Sequence, residues 1–146
     1  MMIYILILLA VLTVDLTIKN HIEHKYPGNR KKDVAWGCIT IRNSKNTGGF
    51  LNFMDKKSFL VKVFSGVLII GCIIYLIYLI VKNEGAIKKL ALALILGGAL
   101  SNEYDRIKKG SVTDYFSINL PFMRNIVFNL GDMSIFAGII LLICDD

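Results

Sequence analysis

Two carboxylates 18 residues apart, Asp114 and Asp132, are the groups in this sequence best suited to proton chemistry. Asp114 follows an apolar block, in the polar run Gly110-Ser111-Val112-Thr113-Asp114-Tyr115. Asp132 stands just inside the next apolar block, in Phe128-Asn129-Leu130-Gly131-Asp132. An ionisable residue at membrane depth is expensive and therefore functional by default. Two carboxylates brought to one site share a proton, so one can act as an acid while the other acts as a base. Further polar residues stand nearby at helical spacing. Asn102, Asp105 and Arg106 are at i, i+3 and i+4, Asn129 and Asp132 at i, i+3, and Asp15 and Lys19 at i, i+4, where they can pair. Polar side chains also act as glue between helices. For Asn102 and Arg106 the sequence supports that role and direct substrate contact equally.

The elements that must position these residues are four apolar blocks, at about 1–18, 59–81, 86–102 and 126–144, in a chain of 146 residues that fits one domain. The second is long enough to span a bilayer, with Lys62 able to snorkel at one end. The first has no basic residue before Lys19, unlike the basic start of a cleaved signal peptide, and reads as a retained helix. Four spans place the end of helix 1, the start of helix 2, the end of helix 3 and the start of helix 4 on one membrane face. Asp15, Lys19, Asn102, Asp105, Arg106, Asn129 and Asp132 all fall at those ends. The expected fold is therefore mostly α and polytopic, with four transmembrane helices. A small β-rich region is expected in the loop at about 20–58. Val34 to Arg42 alternates in part through Val34, Trp36, Cys38 and Thr40, Asn46-Thr47-Gly48-Gly49 reads as a turn, and Trp36, Phe50 and Phe53 suit the interface.

Composition narrows the partners. The chain is 55% hydrophobic and 19% charged, with net charge +6. Because the basic residues flank apolar blocks, anionic phospholipid headgroups are the expected partner rather than nucleic acid. Three scattered cysteines form no disulfide framework, and His21 with His24 lacks a zinc-protease spacing, so no metal or organic cofactor is expected. Ile69-Ile70-Gly71-Cys72 looks like a lipid-attachment box, but it lies mid-helix and reads as packing.

At the polar residues the chain resembles a known family, signal peptidase II, the bacterial lipoprotein signal peptidase. The family's Gly-Gly-Ala-x-Gly-Asn-x-x-Asp-Arg is similar to Gly97-Gly98-Ala99-Leu100-Ser101-Asn102-Glu103-Tyr104-Asp105-Arg106. Its Gly-x-Val-x-Asp-Phe is similar to Gly110 through Tyr115, and its Phe-Asn-x-Ala-Asp to Phe128 through Asp132. Ser101 stands for a usual glycine, Gly131 for a usual alanine and Tyr115 for a usual phenylalanine. Asp15 and Lys19 match a first-helix Asp and Lys, with Thr17 one place early. In the first loop, Asn46-Thr47-Gly48-Gly49-Phe50 is one residue shorter than the family's Asn-x-Gly-Ala-Ala-Phe, and Asn43 competes with Asn46 for the asparagine role.

The resemblance implies an aspartyl endopeptidase of the bacterial cell membrane. It would cut diacylglyceryl-modified prolipoproteins before the lipidated cysteine, with a monomeric chain facing its active site outward. Asp114 and Asp132 would be the catalytic pair. Asn102, Asp105, Arg106, Asn129, Asp15, Lys19, Asn46 and Gly48 would support the site or bind substrate. The charges disagree with that orientation: most of the 17 basic residues lie in the two outer loops, and the inner loop holds only Lys82, Lys88 and Lys89. Three other readings compete: a non-catalytic bundle binding lipids or lipoproteins, an inactive relative of the peptidases, and a proton relay through Asp15, Asp114 and Asp132. The relay would string its carboxylates across the membrane rather than gather them at one face.

Overall fold

A computed structural model describes residues 1–28, 30–47 and 58–145. In chain order the elements are α1 (Met2–Lys25), β1 (Lys31–Val34), β2 (Ile39–Asn46), α2 (Ser58–Lys82), α3 (Ala86–Lys109), β3 (Val112–Ile118) and α4 (Leu130–Cys144). Gly48, Phe50 and Phe53 lie outside the described residues.

The four helices coincide with the four apolar blocks, but three boundaries differ, each for a local reason. α1 runs seven residues past the expected end because its buried residues, Asp15, Lys19 and Ile22, form one stripe at i, i+4 and i+7 that continues beyond the apolar block. α3 continues past Asn102 because the polar residues of its last turns find partners on other elements, and it stops at Gly110. That glycine adopts φ 75° and donates its N–H to Arg106 O. α4 begins at Leu130 rather than near Ile126. Phe128 is drawn into a β-bridge with Phe116, and Asn129 then caps the helix. The cap is reciprocal: Asn129 Oδ1 accepts from Asp132 N at 2.8 Å, and Asp132 Oδ2 accepts from Asn129 N at 3.2 Å.

α3 is the central helix and packs against α1, α2 and α4. Ile69, Leu76 and Leu79 of α2 meet Leu92 and Leu96 of α3 in the buried apolar core. Against α4 the contact is backbone to backbone. A β-carbon on Gly98 would lie 2.2 Å from Gly131 O, and one on Gly138 would lie 2.6 Å from Ala91 O. Small residues permit this approach where apolar burial cannot drive association. Large apolar side chains such as Leu6, Phe64, Ile70, Ile74 and Ile140 face outward. α1 and α2 are long and apolar enough to cross a membrane, with mean hydropathy 2.2 and 2.7. α4 is a shorter apolar helix, and α3 carries charges in both its first and last turns.

The sheet bears out a β-rich first loop, where β1 and β2 form a hairpin, and adds two features. Its order is β1-β2-β3, antiparallel throughout, so its third strand comes from the loop after α3 rather than from the first loop. That strand carries Asp114. The alternating run from Val34 to Arg42 is also not one strand. Residues 35–38 turn, with Gly37 N bonded to Val34 O at 3.1 Å and Cys38 N to Ala35 O at 3.0 Å. Ala35, Trp36 and Gly37 all take positive φ there, the backbone twist that a tight hairpin requires. The β2–β3 register steps from Ile41↔Phe116 to Ser44↔Asp114, so β2 carries one extra residue directly beside Asp114.

Candidate active site

Asp114 and Asp132 are joined by one side chain, that of Asn129. The capping geometry that starts α4 fixes the Asn129 oxygen on Asp132 N, which leaves its amide nitrogen to donate to Asp114 Oδ1 at 2.7 Å. Asn46, at the end of β2, donates to Asp114 Oδ2 at 3.0 Å. Of the two asparagines that compete for this role, Asn43 and Asn46, it is therefore Asn46 that reaches the carboxylate. Asn102, on α3, donates to Asp132 Oδ1 at 2.9 Å. Each aspartate thus accepts an amide from another element, and α3, α4, β2 and β3 all meet here. Asp114 is 3% exposed. Burial, and after it the Asp132 charge, push the Asp114 carboxyl up to about 7, against the pull of the Asn46 and Asn129 amides and of Lys19. Its helix-start position gives Asp132 a favourable dipole for negative charge.

Behind the pair lies a buried ionic layer. Lys19 Nζ pairs with Asp15 Oδ2 at 2.8 Å and donates to Asn102 Oδ1 at 2.7 Å and Ser101 Oγ at 3.0 Å. Asp15, Lys19, Ser101, Asp105 and Asn129 are fully buried, and every one of them has a partner, as buried charges require. Tyr115 donates its hydroxyl to Asp15 Oδ1 at 3.1 Å and accepts from Leu130 N at 2.8 Å, joining β3 to the start of α4. Burial and the Asp15 carboxylate raise the Tyr115 phenol, which stays protonated.

The shared face expected for Asn102, Asp105 and Arg106 divides. Asp105 turns inward: its Oδ2 accepts from Thr113 N at 3.0 Å, and its Oδ1 pairs with Lys109 at 2.8 Å. Asn102 and Arg106 face a groove between α2, α3 and α4. That groove has a volume of about 530 Å³, with Asn46, Asn102, Arg106, Asp114 and Asp132 at its polar end. Apart from Ser65, its remaining walls are largely apolar, among them Leu68, Ile69, Ile95, Ile135 and Ile139. Arg106 is held on the wall by Glu103, 3.5 Å away, which also accepts the Ser65 hydroxyl of α2.

Sequence reasoning did not single out Glu23, Thr113, Lys109, Glu103 or the Ser101 hydroxyl. Glu23, in the last turn of α1, accepts from Thr113 Oγ1, Lys109 at 3.0 Å and Lys45, gathering β2, α3 and β3 around one carboxylate. The available signal was weak: Glu23 continues the Asp15–Lys19 stripe, and Thr113 neighbours Asp114.

This arrangement can hold one proton on a carboxylate pair beside a groove that is largely apolar elsewhere. The family model for signal peptidase (SPase) II matches residues 7–146. The chain is 31% identical over 142 residues to a lipoprotein signal peptidase of Caldicellulosiruptor bescii, covering 97% of this chain and 88% of that one. It is 33% identical over 141 residues to one of Moorella thermoacetica, covering 95% and 89%. Two solved structures, both described as bacterial membrane enzymes studied by the in meso method, superimpose with TM-scores of 0.85 and 0.80. Each is 26% identical, and they cover 99% of this chain with 87% and 92% of their own. A match spanning nearly the whole sequence, close relatives of similar length and a shared membrane-enzyme fold make this a membrane peptidase, and the chain belongs to the signal peptidase II family.

Proposed function

We infer that Asp114 and Asp132 form the aspartic catalytic pair with which this membrane peptidase removes signal peptides from prolipoproteins. The observation that carries the reading is the Asn129 bridge at the polar end of the groove: its side-chain nitrogen donates to the Asp114 carboxylate, its side-chain oxygen accepts from the Asp132 backbone, and its own backbone N–H donates to the Asp132 carboxylate. Two interacting carboxylates titrate as a pair. Asp114, buried and pushed up to about 7, holds the shared proton, and Asp132, at a helix start, is the ionised partner. Asp132 takes a proton from water as the water attacks the scissile carbonyl. Asp114 polarises that carbonyl and then protonates the leaving amine. Asn46 and Asn129 hold Asp114, Asn102 holds Asp132, and Arg106 on the groove wall offers N–H donors to the substrate backbone.

The apolar walls suit a diacylglyceryl-modified substrate cut before the lipidated cysteine. Its acyl chains and signal segment stay in apolar surroundings while the peptide bond reaches the aspartates. On this reading all four helices span the membrane of a bacterial cell as a monomer, and the sheet and active site face outward. Phospholipid is the expected partner of the outer surface. The fully exposed Trp36 and the exposed Leu120 and Phe122 lie near the basic residues Lys31, Lys32 and Arg124, the mixture that interfaces favour.

The test is cleavage of a diacylglyceryl-modified prolipoprotein by the purified protein in lipid, followed by gel shift. Wild type releases the signal peptide, while Asp114→Asn and Asp132→Asn stay folded and lose at least about 100-fold in rate. A variant that still cuts at the wild-type rate sinks the aspartic pair. Wild type that binds several modified substrates and cuts none transfers the reading to a lipoprotein-binding protein.

A further inference from the structure

One oxygen of the ionic layer, Asp15 Oδ2, is hemmed in by three residues. Ser101 of α3 donates its hydroxyl to it at 2.6 Å, and Lys19 pairs with it at 2.8 Å. On the side of α4, a β-carbon on Gly131 would come within 2.9 Å of it, closer than carbon and oxygen normally approach, and would lie 3.0 Å from both Asn129 Oδ1 and Gly98 O. The Ser101 oxygen also accepts from Lys19 Nζ at 3.0 Å, so carboxylate, hydroxyl and ammonium close a triangle. An ammonium has three donors. Two of those of Lys19 serve the triangle, and the third goes to Asn102 Oδ1 at 2.7 Å. With its oxygen held there, the Asn102 amide presents its nitrogen to Asp132 Oδ1. Asn102 and Asp132 line the groove, whereas Asp15, Lys19, Ser101 and Gly131 do not.

We propose that Ser101 and Gly131 are a coupled positioning pair for Asp132. The hydroxyl of one and the absent β-carbon of the other fix where Asp15 holds Lys19, and Lys19 acts through Asn102 on the orientation of Asp132. The proposal rests on the reading of Asp132 as a catalytic carboxylate. Removing the hydroxyl takes a hydrogen bond from a fully buried carboxylate and an acceptor from a fully buried ammonium, so Lys19 shifts relative to Asn102. A methyl at position 131 pushes Asp15 Oδ2 away, toward a hydroxyl already 2.6 Å from it. The two changes therefore meet on one atom, Asp15 Oδ2, and removing the Ser101 side chain gives that atom room to move. The contacts of the added methyl with Asn129 Oδ1 and Gly98 O, at 3.0 Å each, remain, so the rescue is partial.

The experiment is a double-mutant cycle of wild type, Ser101→Gly, Gly131→Ala and the combination. Ser101→Ala is added as a variant that keeps a good helix former. A diacylglyceryl-modified prolipoprotein in lipid–detergent micelles is the substrate. kcat and KM are measured separately, with the melting temperature of each variant. Each single change is expected to lower kcat about tenfold, the scale of a small displacement of a catalytic group. KM stays within about twofold because neither residue lines the groove. The double variant is expected to recover kcat above that of Gly131→Ala. Losses that simply multiply, a change in KM with kcat unmoved, or lowered melting with kcat unmoved each overturn the proposal. Asp132→Asn is run beside them. If it cuts like wild type, the catalytic reading of Asp132 falls and the pair falls with it. If it is inactive while the cycle multiplies, only the pair falls.

Discussion

The proposed carboxylate pair predicts how this enzyme responds to pH. Asp114 is pushed from the ordinary 3.8 up to about 7, first by burial and then by Asp132. A raised folded-state value means that the proton on Asp114 stabilises the fold. That contribution is complete below about pH 4 and is lost as pH rises through about 7. Asp114→Asn carries no such proton, so its melting temperature is expected to gain on wild type between pH 4 and 7 and to run parallel above. On the proposed mechanism the same proton serves catalysis, so kcat/KM of the wild type is expected to fall above about pH 7. A profile level from about pH 6 to 9 would remove Asp114 from the acid role. These effects were half legible in the sequence. The two aspartates stand out by type and place, but nothing in their spacing shows that Asn129 joins them or that Asn46, rather than Asn43, caps Asp114.

At the level of elements, α3 positions the site, and two contacts hold it there. The first is its backbone approach to α4. Alanine at Gly98 puts a β-carbon 2.2 Å from Gly131 O, a backbone atom that cannot turn aside, so the helices must part. Gly98→Ala is expected to destabilise by about 1–3 kcal/mol and to weaken cleavage by moving Asn102 away from Asp132. Thermal unfolding in detergent alongside the cleavage assay checks both. The second is the Glu23 junction, where α1 meets Lys45, Lys109 and Thr113. Its side chain is 21% exposed, so solvent screens the pairs. Glu23→Gln should lower stability by no more than about 1 kcal/mol, a loss that 1 M salt reproduces in the wild type. A variant as stable as wild type at low salt would show the junction to be idle. The helices were legible because each has an apolar block. β3 was not, because Val112 to Ile118 becomes a strand only by pairing with β2, about 68 residues earlier in the chain.

On the scale of the whole molecule, the ends of α1 and α3, the starts of α2 and α4 and the three-stranded sheet all belong to one end of the helix bundle. The proposed orientation puts this end outside the cell, although it carries most of the basic residues. The positive-inside rule counts short loops, and part of the first loop is folded into a sheet, bonded to β3 and to the Asn119 turn. Two of the three cysteines report the orientation. Cys38 is exposed on the hairpin turn, Cys144 is exposed at the far end of α4, and Cys72 is half-buried within α2. A membrane-impermeant maleimide added to right-side-out vesicles is expected to label Cys38 at once and Cys144 only after permeabilisation. The opposite order reverses the topology.

The sequence by itself determined the helices and the end of the bundle at which the candidate site lies. Apolar blocks and helical spacing are local properties, and four alternating passes must bring Asp15, Asn102 and Asn129 to the same end. Only the tertiary structure decided which side chains touch. It set Asp114 on a strand bonded to the first loop, turned Asp105 away from the groove that Arg106 faces, and placed the Ser101 hydroxyl between Asp15 and Lys19. The first and last of those choices depend on hydrogen bonds across 68 to 86 residues of chain, where burial demands a partner for buried polar groups but the order of residues does not name it.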